Sequence, residues 1–310
     1  MAEFEELLET LKVWGQWGAD DERGALNYIT NETRRKAAQL VRHGRSFSLA
    51  LPLTNGQGPQ TGLGGRTNPL HFMTATGCDP TGLVELGAGA RYTDDFLAMT
   101  VQASTQWDAL CHIYYGDTLY NGHPASCVSS AGASKNGIDK VHSDFVSRGV
   151  LLDVARSKGV DCLEARTQIT TQDLEACEKA QGVQVEEGDI LLVRTGQMSK
   201  IGNFEDWSVF HGGNEAGLHF ETAEWLHERR VAAVAADNSM VEASGVLKDV
   251  MIPFHMLAIC NLGIHLGEFW YLEELAADCA SDGIYEFMLV AQGLPITGGT
   301  GTPVNPVALK

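Results

Sequence analysis

The chain has 310 residues, of which 44% are hydrophobic and 20% charged, and its 22 Lys and Arg against 40 Asp and Glu give a formal net charge of −18 at pH 7. This composition excludes a disordered or collagen-like chain, and the acidic charge repels phosphate backbones and anionic lipid, so we expect neither nucleic acid nor membrane as a partner. The length allows one large domain or two small ones. Because no composition break or linker divides the chain, we expect one domain over residues 1–310, with an N-terminal helical segment over about 1–45.

The first part of the chain predicts two helices, a strand and two long loops. Residues 1–12 are predicted to form an amphipathic helix whose apolar side chains share one face, namely Phe4, Leu7, Leu8 and Leu11. TNETRRKAAQLVRHG predicts a helix capped by Thr30 or Asn31 and ending at Gly44. FLAMTVQASTQWDA, residues 96–109, predicts a strand. We expect residues 54–70 and 114–140 to form loops that bind a ligand or pack on a partner subunit.

The second part of the chain alternates strands and helices. Three apolar runs, RGVLLDVA, GDILLVRTG and VAAVAADN, predict buried strands, and IYEFMLVAQ predicts a last strand. Helices are predicted between them in ITTQDLEACEKAQG, HFETAEWLHERR and FHMLAICNLG. This alternation is typical of an α/β fold.

Two features bear on the compartment. No uninterrupted apolar run approaches the ~20 residues that cross a bilayer, and the acidic start MAEFEELLETLKVWG lacks the basic and apolar regions of a secretory signal. The seven Cys are scattered without a CxxC pair, which is typical of free thiols in a reducing compartment. We therefore expect a cytoplasmic protein.

The segment QASTQWDALCH carries the first candidate site. Alternate side chains of a strand share a face, which places four oxygen-bearing groups together, namely Gln102, Ser104, Gln106 and Asp108. Trp107 then points to the opposite face. His112 follows Asp108 by four residues, just beyond the strand. These oxygens predict a cation site, although a solvated polar strand face would show the same pattern.

The second candidate site joins His255 to Glu268. His255 lies early in a predicted helix, and Glu268 follows it by thirteen residues, after the helix-ending Gly263. This spacing is long enough for the helix to end and for the chain to fold back, so both side chains could reach one point. A buried, hydrogen-bonded His with an unrelated surface Glu is the alternative.

Together the two segments predict a metal site. Asp108 and Glu268 supply two negative charges, His255 supplies nitrogen, and an N/O ligand set without thiolates fits Zn²⁺ or Mn²⁺. Water on such an ion becomes a nucleophile near neutral pH, and an unligated His112 could move its proton. The reaction class that these groups imply is hydrolysis of a carbonyl bond.

Three further residues are weaker candidates for substrate binding. Trp107 fits the core better than it fits stacking on a substrate. His211, in the string HGGNE, lies in a predicted loop that could reach the site. Arg66 lies in the 54–70 loop and is a candidate to bind a substrate carboxylate in this acidic protein.

These motifs resemble the metal-dependent cyclase family, which includes bacterial kynurenine formamidases and isatin hydrolases. The resemblance runs from about residue 14 to 308 and is carried by QASTQWDALCH, SRGVLLDVA, GDILLVRTG, ETAEWLHERRVAAVAADN, PFHMLAICNLGIHLGE and PITGGTGTPVNPVA. It implies a swivelling β/β/α domain with a mixed sheet flanked by helices. It also implies a homodimer or homotetramer whose active sites take residues from neighbouring subunits.

The family's usual signature, HxGTHxDxPxH, corresponds here to QASTQWDALCH. Asp108 and His112 are kept, and His112 matches the family's general acid/base. Gln102 and Gln106 stand where the family has two metal-binding histidines, so a single ion is expected rather than a two-metal cluster. The pattern QxxxQxDxxxH resembles that of the zinc-dependent trans-dienelactone hydrolase, so the Gln pair is compatible with an active enzyme.

The resemblance also assigns His255 and Glu268 to the family's distal metal ligands. We therefore predict a hydrolase that uses one Zn²⁺ or Mn²⁺ to open a small lactone, cyclic amide or arylformamide, with His112 as general acid/base. The predicted ligands are Gln102, Gln106, Asp108, His255 and Glu268. A non-catalytic small-molecule-binding protein with a degenerate metal site is the alternative, and a metal-free lyase or lactonase that uses His112 alone is a third possibility.

Overall fold

The computed structural model describes residues 1–77, 88–210 and 213–310. The strands in these ranges are β1 (Ser46–Ser48), β2 (Leu70–Ala75), β3 (Asp94–Ala98), β4 (Gln106–Asp108), β5 (Val128–Ser129), β6 (Gly132–Ala133), β7 (Val146–Asp153), β8 (Gln168–Ile169), β9 (Ile190–Arg194), β10 (Gly217–Leu218), β11 (Ala233–Ala236), β12 (His265–Glu268), β13 (Glu286–Val290), β14 (Gly301–Pro303) and β15 (Val307–Leu309).

The helices in the same ranges are α1 (Ala2–Thr10), α2 (Asn31–Ala38), α3 (Val154–Ser157), α4 (Thr171–Gln181), α5 (Thr222–Glu228), α6 (Pro253–His255) and α7 (Glu273–Asp282). The α6 turn continues as a π-helical segment over Met256–Asn261. In the part of the chain that the structure describes, no helix combines the length and the apolarity needed to cross a membrane.

Nine of the strands form one mixed sheet in the order β1-β15-β13-β7-β9-β11-β12-β4-β14. The four strands β7, β9, β11 and β12 are parallel to one another. The strands on both sides of them pair antiparallel, including β4, which lies between β12 and β14. The predicted architecture, a mixed sheet flanked by helices, is therefore confirmed.

The sheet is covered on both faces, which explains why its parallel strands are continuous apolar runs. Val150 and Leu152 of β7 belong to the hydrophobic cluster that contains α1, α4, α5 and the π-helical segment. Leu151 points to the opposite face and belongs to the cluster that contains α7. That second cluster includes Trp107 and Trp270, whose rings meet edge to face.

Most of the predicted elements are confirmed. The N-terminal amphipathic helix is α1, the helix after Ile169 is α4 with a Thr170 cap and a left-handed Gly182 at its end, and the apolar runs are β7, β9, β11 and β13. The cysteines in the described ranges are free, as predicted. α7 and β12 are elements that the sequence patterns did not predict.

The strand predicted over 96–109 is wrong. β3 ends at Ala98 and pairs with β2, whereas β4 begins at Gln106 and joins the main sheet. Between them the chain turns, and the side-chain amide of Gln60 donates to the carbonyl oxygens of Gln102 and Ala103 at 3.3 and 3.1 Å. These carbonyls are thus satisfied by a loop side chain and not by a neighbouring strand.

The helix predicted over 30–44 begins as expected but ends earlier. Thr30 caps α2 by accepting a hydrogen bond from the backbone N–H of Thr33. α2 ends at Ala38 and not at Gly44. The backbone N–H groups of His43 and Arg45 both donate to the carbonyl oxygen of Lys310. Residues 43–45 therefore lie at the edge of the sheet where β1 pairs with β15, and do not continue the helix.

Gly267 of β12 provides a test of the packing behind the candidate site. A Cβ atom built there lies 2.7 Å from Ala235 Cβ, 2.7 Å from Trp270 Nε1 and 2.9 Å from the Trp107 ring. We expect Gly267→Ala to lower the free energy of unfolding by about 1–3 kcal/mol, because the added methyl group overpacks this face of the sheet. Urea denaturation measures the change.

The matched control is Gly77→Ala, because a Cβ atom at Gly77 meets nothing within 4 Å. We expect this variant to stay within about 0.5 kcal/mol of the wild type. Equal unfolding free energies for the two variants would contradict the packing argument.

Candidate metal centre

Three side chains able to bind a metal meet at the carboxyl end of β12. Asp108, His255 and Glu268 each offer one ligand atom, and these atoms lie within 4.8 Å of one another in buried positions. The sheet register brings the carboxylates together, because Gln106 of β4 lies opposite Glu268 of β12 and Asp108 follows two residues later on the same face. The structure thus unites residues that the sequence placed in two separate segments.

Glu242 holds His255 in place. Its Oε1 accepts hydrogen bonds from His255 Nδ1 at 2.5 Å and from the His255 backbone N–H at 3.0 Å, while its Oε2 accepts one from the Phe254 backbone N–H at 3.1 Å. The same carboxylate therefore caps the start of α6 and directs the imidazole. His255 Nε2 is left 3.4 Å from Glu268 Oε1. A carboxylate on the far nitrogen of a ligating His is a common arrangement in metal sites.

Negative charge is concentrated at this point. Burial raises the pKa of Asp108 well above its usual value, and the nearby charge of Glu268 raises it further. Burial lowers the pKa of His255, but hydrogen bonds to Glu242 and Glu268 outweigh this effect and raise the pKa to about 10. Glu268 thus raises the pKa of both Asp108 and His255, which indicates that this position favours a positively charged group.

Unpartnered oxygen atoms indicate where a cation fits. Among the described residues, none forms a hydrogen bond with Asp108 Oδ1, Asp108 Oδ2 or Gln106 Oε1, although all three atoms are buried. Gln106 uses its Nε2 to donate to Glu268 Oε2 at 2.9 Å, so only its oxygen stays unsatisfied. Buried polar atoms without partners are costly, and a cation with oxygen ligands removes this cost.

The separation between two of the ligand atoms agrees with this interpretation. Two ligands bound about 2.1 Å from one ion lie roughly 3.0–3.5 Å apart at ordinary coordination angles. The 3.4 Å between His255 Nε2 and Glu268 Oε1 falls in that range. The donor set of two carboxylates, one imidazole and one amide oxygen therefore fits a divalent cation.

His112 stands at the edge of this centre. Its Nε2 lies 3.5 Å from Asp108 Oδ1, and its side chain is 19% exposed against 1% for Asp108. Burial lowers the pKa of His112 to about 4, although the charge of Glu268 acts in the opposite direction. The ring is therefore neutral at pH 7, so it can accept a proton on the side of the site that solvent reaches.

Gln102 lies beside the site, but in a turn and not in the strand that the sequence predicts. It lies in the turn before β4, and its Nε2 donates to Thr300 Oγ1 at 3.2 Å. Gly301 lies opposite Asp108 in β14, and a Cβ atom there would lie 2.8 Å from Gln102 Nε2 and 3.4 Å from Gln106 Oε1. The absence of a side chain at Gly301 thus leaves room for both amides.

Trp107 does not extend the site. Trp107 is fully buried, its indole N–H donates to the Ala291 carbonyl at 2.7 Å, and its ring stacks on Phe145. Its position is the core, and nothing in this geometry supports contact with a substrate. His211 lies outside the described residues.

Glu215 and Glu242 are the acidic residues near this centre that sequence reasoning missed. Glu215 accepts hydrogen bonds from the backbone N–H and the hydroxyl of Ser239, which steadies the loop that leads to Glu242. Burial raises the pKa of Glu215 to about 7. The only signal in the sequence is that Glu242 is an acidic residue between two apolar ones, Val241 and Ala243, which is too weak to assign a role.

One cavity among the described residues lies apart from these three side chains. It has a volume of about 650 Å³, and its mostly apolar lining includes Leu51, Leu53, Ser104, Phe204 and Tyr271. None of the three clustered metal-binding candidates lines it. The proposed chemistry therefore depends on the polar centre and not on this cavity.

Asp108 offers a direct test of the charge argument. In protein stripped of metal by a chelator at pH 7, we expect Asp108→Asn to raise the free energy of unfolding by about 1–3 kcal/mol, because the change removes an unpartnered buried carboxylate. Urea denaturation of the two proteins measures this difference.

Asp237→Asn is the matched control, because Asp237 is equally buried but accepts hydrogen bonds from the Thr195 N–H and hydroxyl and from the Gly196 N–H. We expect that variant to be less stable than the wild type. A loss of stability in Asp108→Asn as large as in Asp237→Asn would show that Asp108 already has protein partners.

Comparisons with known proteins place the chain in a family. A sequence model of the Cyclase family matches residues 37–243. A crystal structure described as a novel cyclase is 41% identical, covers 96% of this chain and 99% of that chain, and has a TM-score of 0.89. Among curated proteins no match is found.

More distant structures share the fold. Isatin hydrolase A from Ralstonia solanacearum is 19% identical, with a TM-score of 0.63 over 90% of this chain and 97% of that chain. A structure described as a predicted metal-dependent hydrolase from Bacillus stearothermophilus is 15% identical, with a TM-score of 0.54 over 86% of this chain and 98% of that chain. By the family match and the 41% identical structure, the chain belongs to the Cyclase family.

Proposed function

We propose that the chain is a metal-dependent hydrolase that opens a lactone, a cyclic amide or an arylformamide. The observation that carries this proposal is the set of unpartnered oxygens of Asp108 and Gln106 beside the His255–Glu268 pair. Asp108, His255, Glu268 and Gln106 would hold one Zn²⁺ or Mn²⁺, with Gln102 beside them. When bound, the ion would polarise a carbonyl group and acidify a water molecule.

His112 moves the proton in this proposal. Its neutral ring accepts a proton from the attacking water while the water oxygen bonds to the carbonyl carbon. The bond from that carbon to the ring oxygen or nitrogen then breaks, and His112 returns the proton to the leaving heteroatom. The products are one acid and one alcohol or amine, joined in a single molecule when the substrate is cyclic.

Three further observations support this function without fixing the substrate. A relative with the same fold is named for hydrolysis of isatin, which is a cyclic amide, and another is described as a metal-dependent hydrolase. Glu242 orients His255 as carboxylates orient histidines in many metal sites. The single-domain organisation, the cytoplasmic location and the homodimer or homotetramer stay predictions.

The first test is metal loading. We expect protein purified without chelator to contain close to one Zn²⁺ or Mn²⁺ per chain, and Asp108→Asn and Glu268→Gln to lose most of it, because each removes a charged ligand. Elemental analysis measures the metal. A screen of lactones, cyclic amides and formamides with each ion added separately measures activity, which a chelator should abolish.

Glu224→Gln is the control for that experiment, since Glu224 is exposed on α5. It should keep both the metal and the activity. A metal-free protein that still binds small ligands after the Asp108 change would support the non-catalytic binding protein. Activity that survives the chelator would support a reaction driven by His112 alone.

The second test separates proton transfer from metal binding. We expect His112→Ala to keep its metal but to lose about 10²- to 10⁴-fold in kcat, the usual contribution of a general acid/base. His43→Ala, in an exposed loop, is the control and should leave kcat unchanged. Metal content and kcat are measured on the same preparations, and a wild-type kcat in His112→Ala would exclude the assigned role.

A further inference from the structure

Two carboxylates hold the imidazole of His255 from its two nitrogen atoms. Glu242 Oε1 accepts a hydrogen bond from Nδ1 at 2.5 Å, and Glu268 Oε1 lies 3.4 Å from Nε2. Glu242 lies in the loop after β11, whereas Glu268 ends β12. The direction of the ring therefore depends on how the backbone fixes a loop residue against a strand residue.

Each of these carboxylates adjoins a residue whose backbone conformation disfavours its side chain. Val241 precedes Glu242 and has a φ of 58°, and Phe269 follows Glu268 and also has a φ of 58°. A positive φ is uncommon for residues other than glycine, and it is an outlier for a β-branched or bulky side chain. Such conformations persist only where the surrounding contacts impose them, and they cluster at functional sites.

Asn238 connects the two strained positions. Its backbone carbonyl accepts a hydrogen bond from the Phe269 N–H at 2.8 Å, and its side-chain Oδ1 accepts one from the Val241 N–H at 2.7 Å. Its Nδ2 donates to the Ala216 carbonyl at 2.7 Å, and the residue is fully buried. One residue thus bonds to the backbone beside both carboxylates.

The turn at Val241 is tight and is held from two sides. The Glu242 N–H donates to the carbonyl two residues before it, and such a three-residue turn with a positive central φ is rare and strained. From β10, the Leu218 N–H donates to the Val241 carbonyl at 3.0 Å, and a Cβ atom at Gly217 would lie 2.4 Å from that oxygen. The Asn238 side chain holds the other polar group of Val241, its N–H.

Phe269 is fixed by contacts that do not involve the Asn238 side chain. The Thr105 hydroxyl donates to the Phe269 carbonyl at 2.6 Å, and the Phe269 ring meets Phe210 edge to face. Its N–H bonds to the Asn238 backbone carbonyl, which every residue type supplies. Loss of the Asn238 amide group therefore releases Val241 and Glu242 while Phe269 and Glu268 keep their bonds.

Building on the metal-dependent function above, we propose that Asn238 is a positioning residue for the metal centre. Its side chain holds Val241 in the positive-φ conformation, and this turn directs Glu242 to His255. The hydrogen bonds of the Asn238 side chain go to backbone groups, so its effect on a bound ion passes through Glu242 and His255. A ligand that is oriented before the ion arrives loses less freedom on binding, which strengthens the binding.

A purely structural role for Asn238 makes a different prediction at position 241. Glycine adopts a positive φ without steric cost, so Val241→Gly makes the amide of Asn238 dispensable if its task is to hold this turn. If Asn238 serves folding alone, the same change adds a second loss, because Val241 is a fully buried core residue. The two roles therefore differ in the sign of the response to glycine.

The test measures the hydrogen bond between His255 and Glu242 in metal-free protein at pH 7. A short bond to a carboxylate shifts the Nδ1 proton of His255 downfield of the amide protons in the NMR spectrum, and its absence in His255→Asn assigns the signal. We expect Asn238→Ala to lose this signal and Asn238→Ala/Val241→Gly to recover it. Asn238→Asp keeps an oxygen atom for the Val241 N–H and should retain the signal.

Zinc affinity is measured on the same proteins by competition with a chromophoric chelator. We expect Asn238→Ala to bind Zn²⁺ about 10- to 100-fold more weakly, the usual loss when a group that orients a metal ligand is removed. The double variant should regain most of this affinity. A double variant that recovers neither the signal nor the affinity would overturn the proposal, as would an Asn238→Ala protein that keeps both.

Asn261→Ala is the matched control. Asn261 is fully buried and also forms two side-chain hydrogen bonds, donating to the Leu8 carbonyl and accepting from the Tyr115 hydroxyl. We expect this variant to lose stability but to keep the His255 signal and the zinc affinity. If Asn238→Ala does not fold, folded protein regained by adding Val241→Gly supports the proposal, and a double variant that also fails to fold refutes it.

Failure of the proposed hydrolase function has a different signature. If the wild type binds neither Zn²⁺ nor Mn²⁺, the metal-dependent function is wrong, and the His255 signal of the metal-free variants still decides whether Asn238 directs Glu242. If the wild type binds zinc and hydrolyses a compound of the screen while Asn238→Ala keeps the signal, the hydrolase function stands and the role of Asn238 is refuted.

Discussion

The structure depends on a concentration of negative charge that folding places inside the protein. Asp108, Glu268 and Glu242 are all buried within reach of a single imidazole, and burial alone raises the pKa of Asp108. Carboxylates in such surroundings destabilise the folded chain unless a positive group compensates them. The sheet register makes the arrangement unavoidable, because pairing β4 with β12 sets Gln106 against Glu268.

The surroundings of the centre use hydrogen bonds to control where this charge points. Gln106 holds one oxygen of Glu268 and leaves the other facing His255. Glu242 caps α6 with the same carboxylate that orients His255, so the start of a helix and the direction of a ligand are set together. Behind the centre, Gly267 lets β12 approach the rings of Trp107 and Trp270. Hydrogen bonds and close packing thus position these polar groups.

The sequence predicts the metal-binding candidates better than it predicts the residues that surround and orient them. Asp108, His255 and Glu268 were identified because carboxylates and an imidazole stand beside recognisable strand and helix patterns. Strand alternation predicts Gln102 on the same face as Gln106, yet Gln102 lies in a turn, and a side chain at Gly301 would crowd both amides. Glu242 was missed, since its contact with His255 depends on the course of an irregular loop, which no periodicity encodes.

The amide side chains of Gln102 and Gln106 have a consequence for the charge of the centre. A neutral amide brings an oxygen to a cation without adding charge. The Gln106 amide nitrogen already donates a hydrogen bond to Glu268. A divalent ion beside Asp108, Glu268 and Glu242 would leave one negative charge in excess when His255 is neutral.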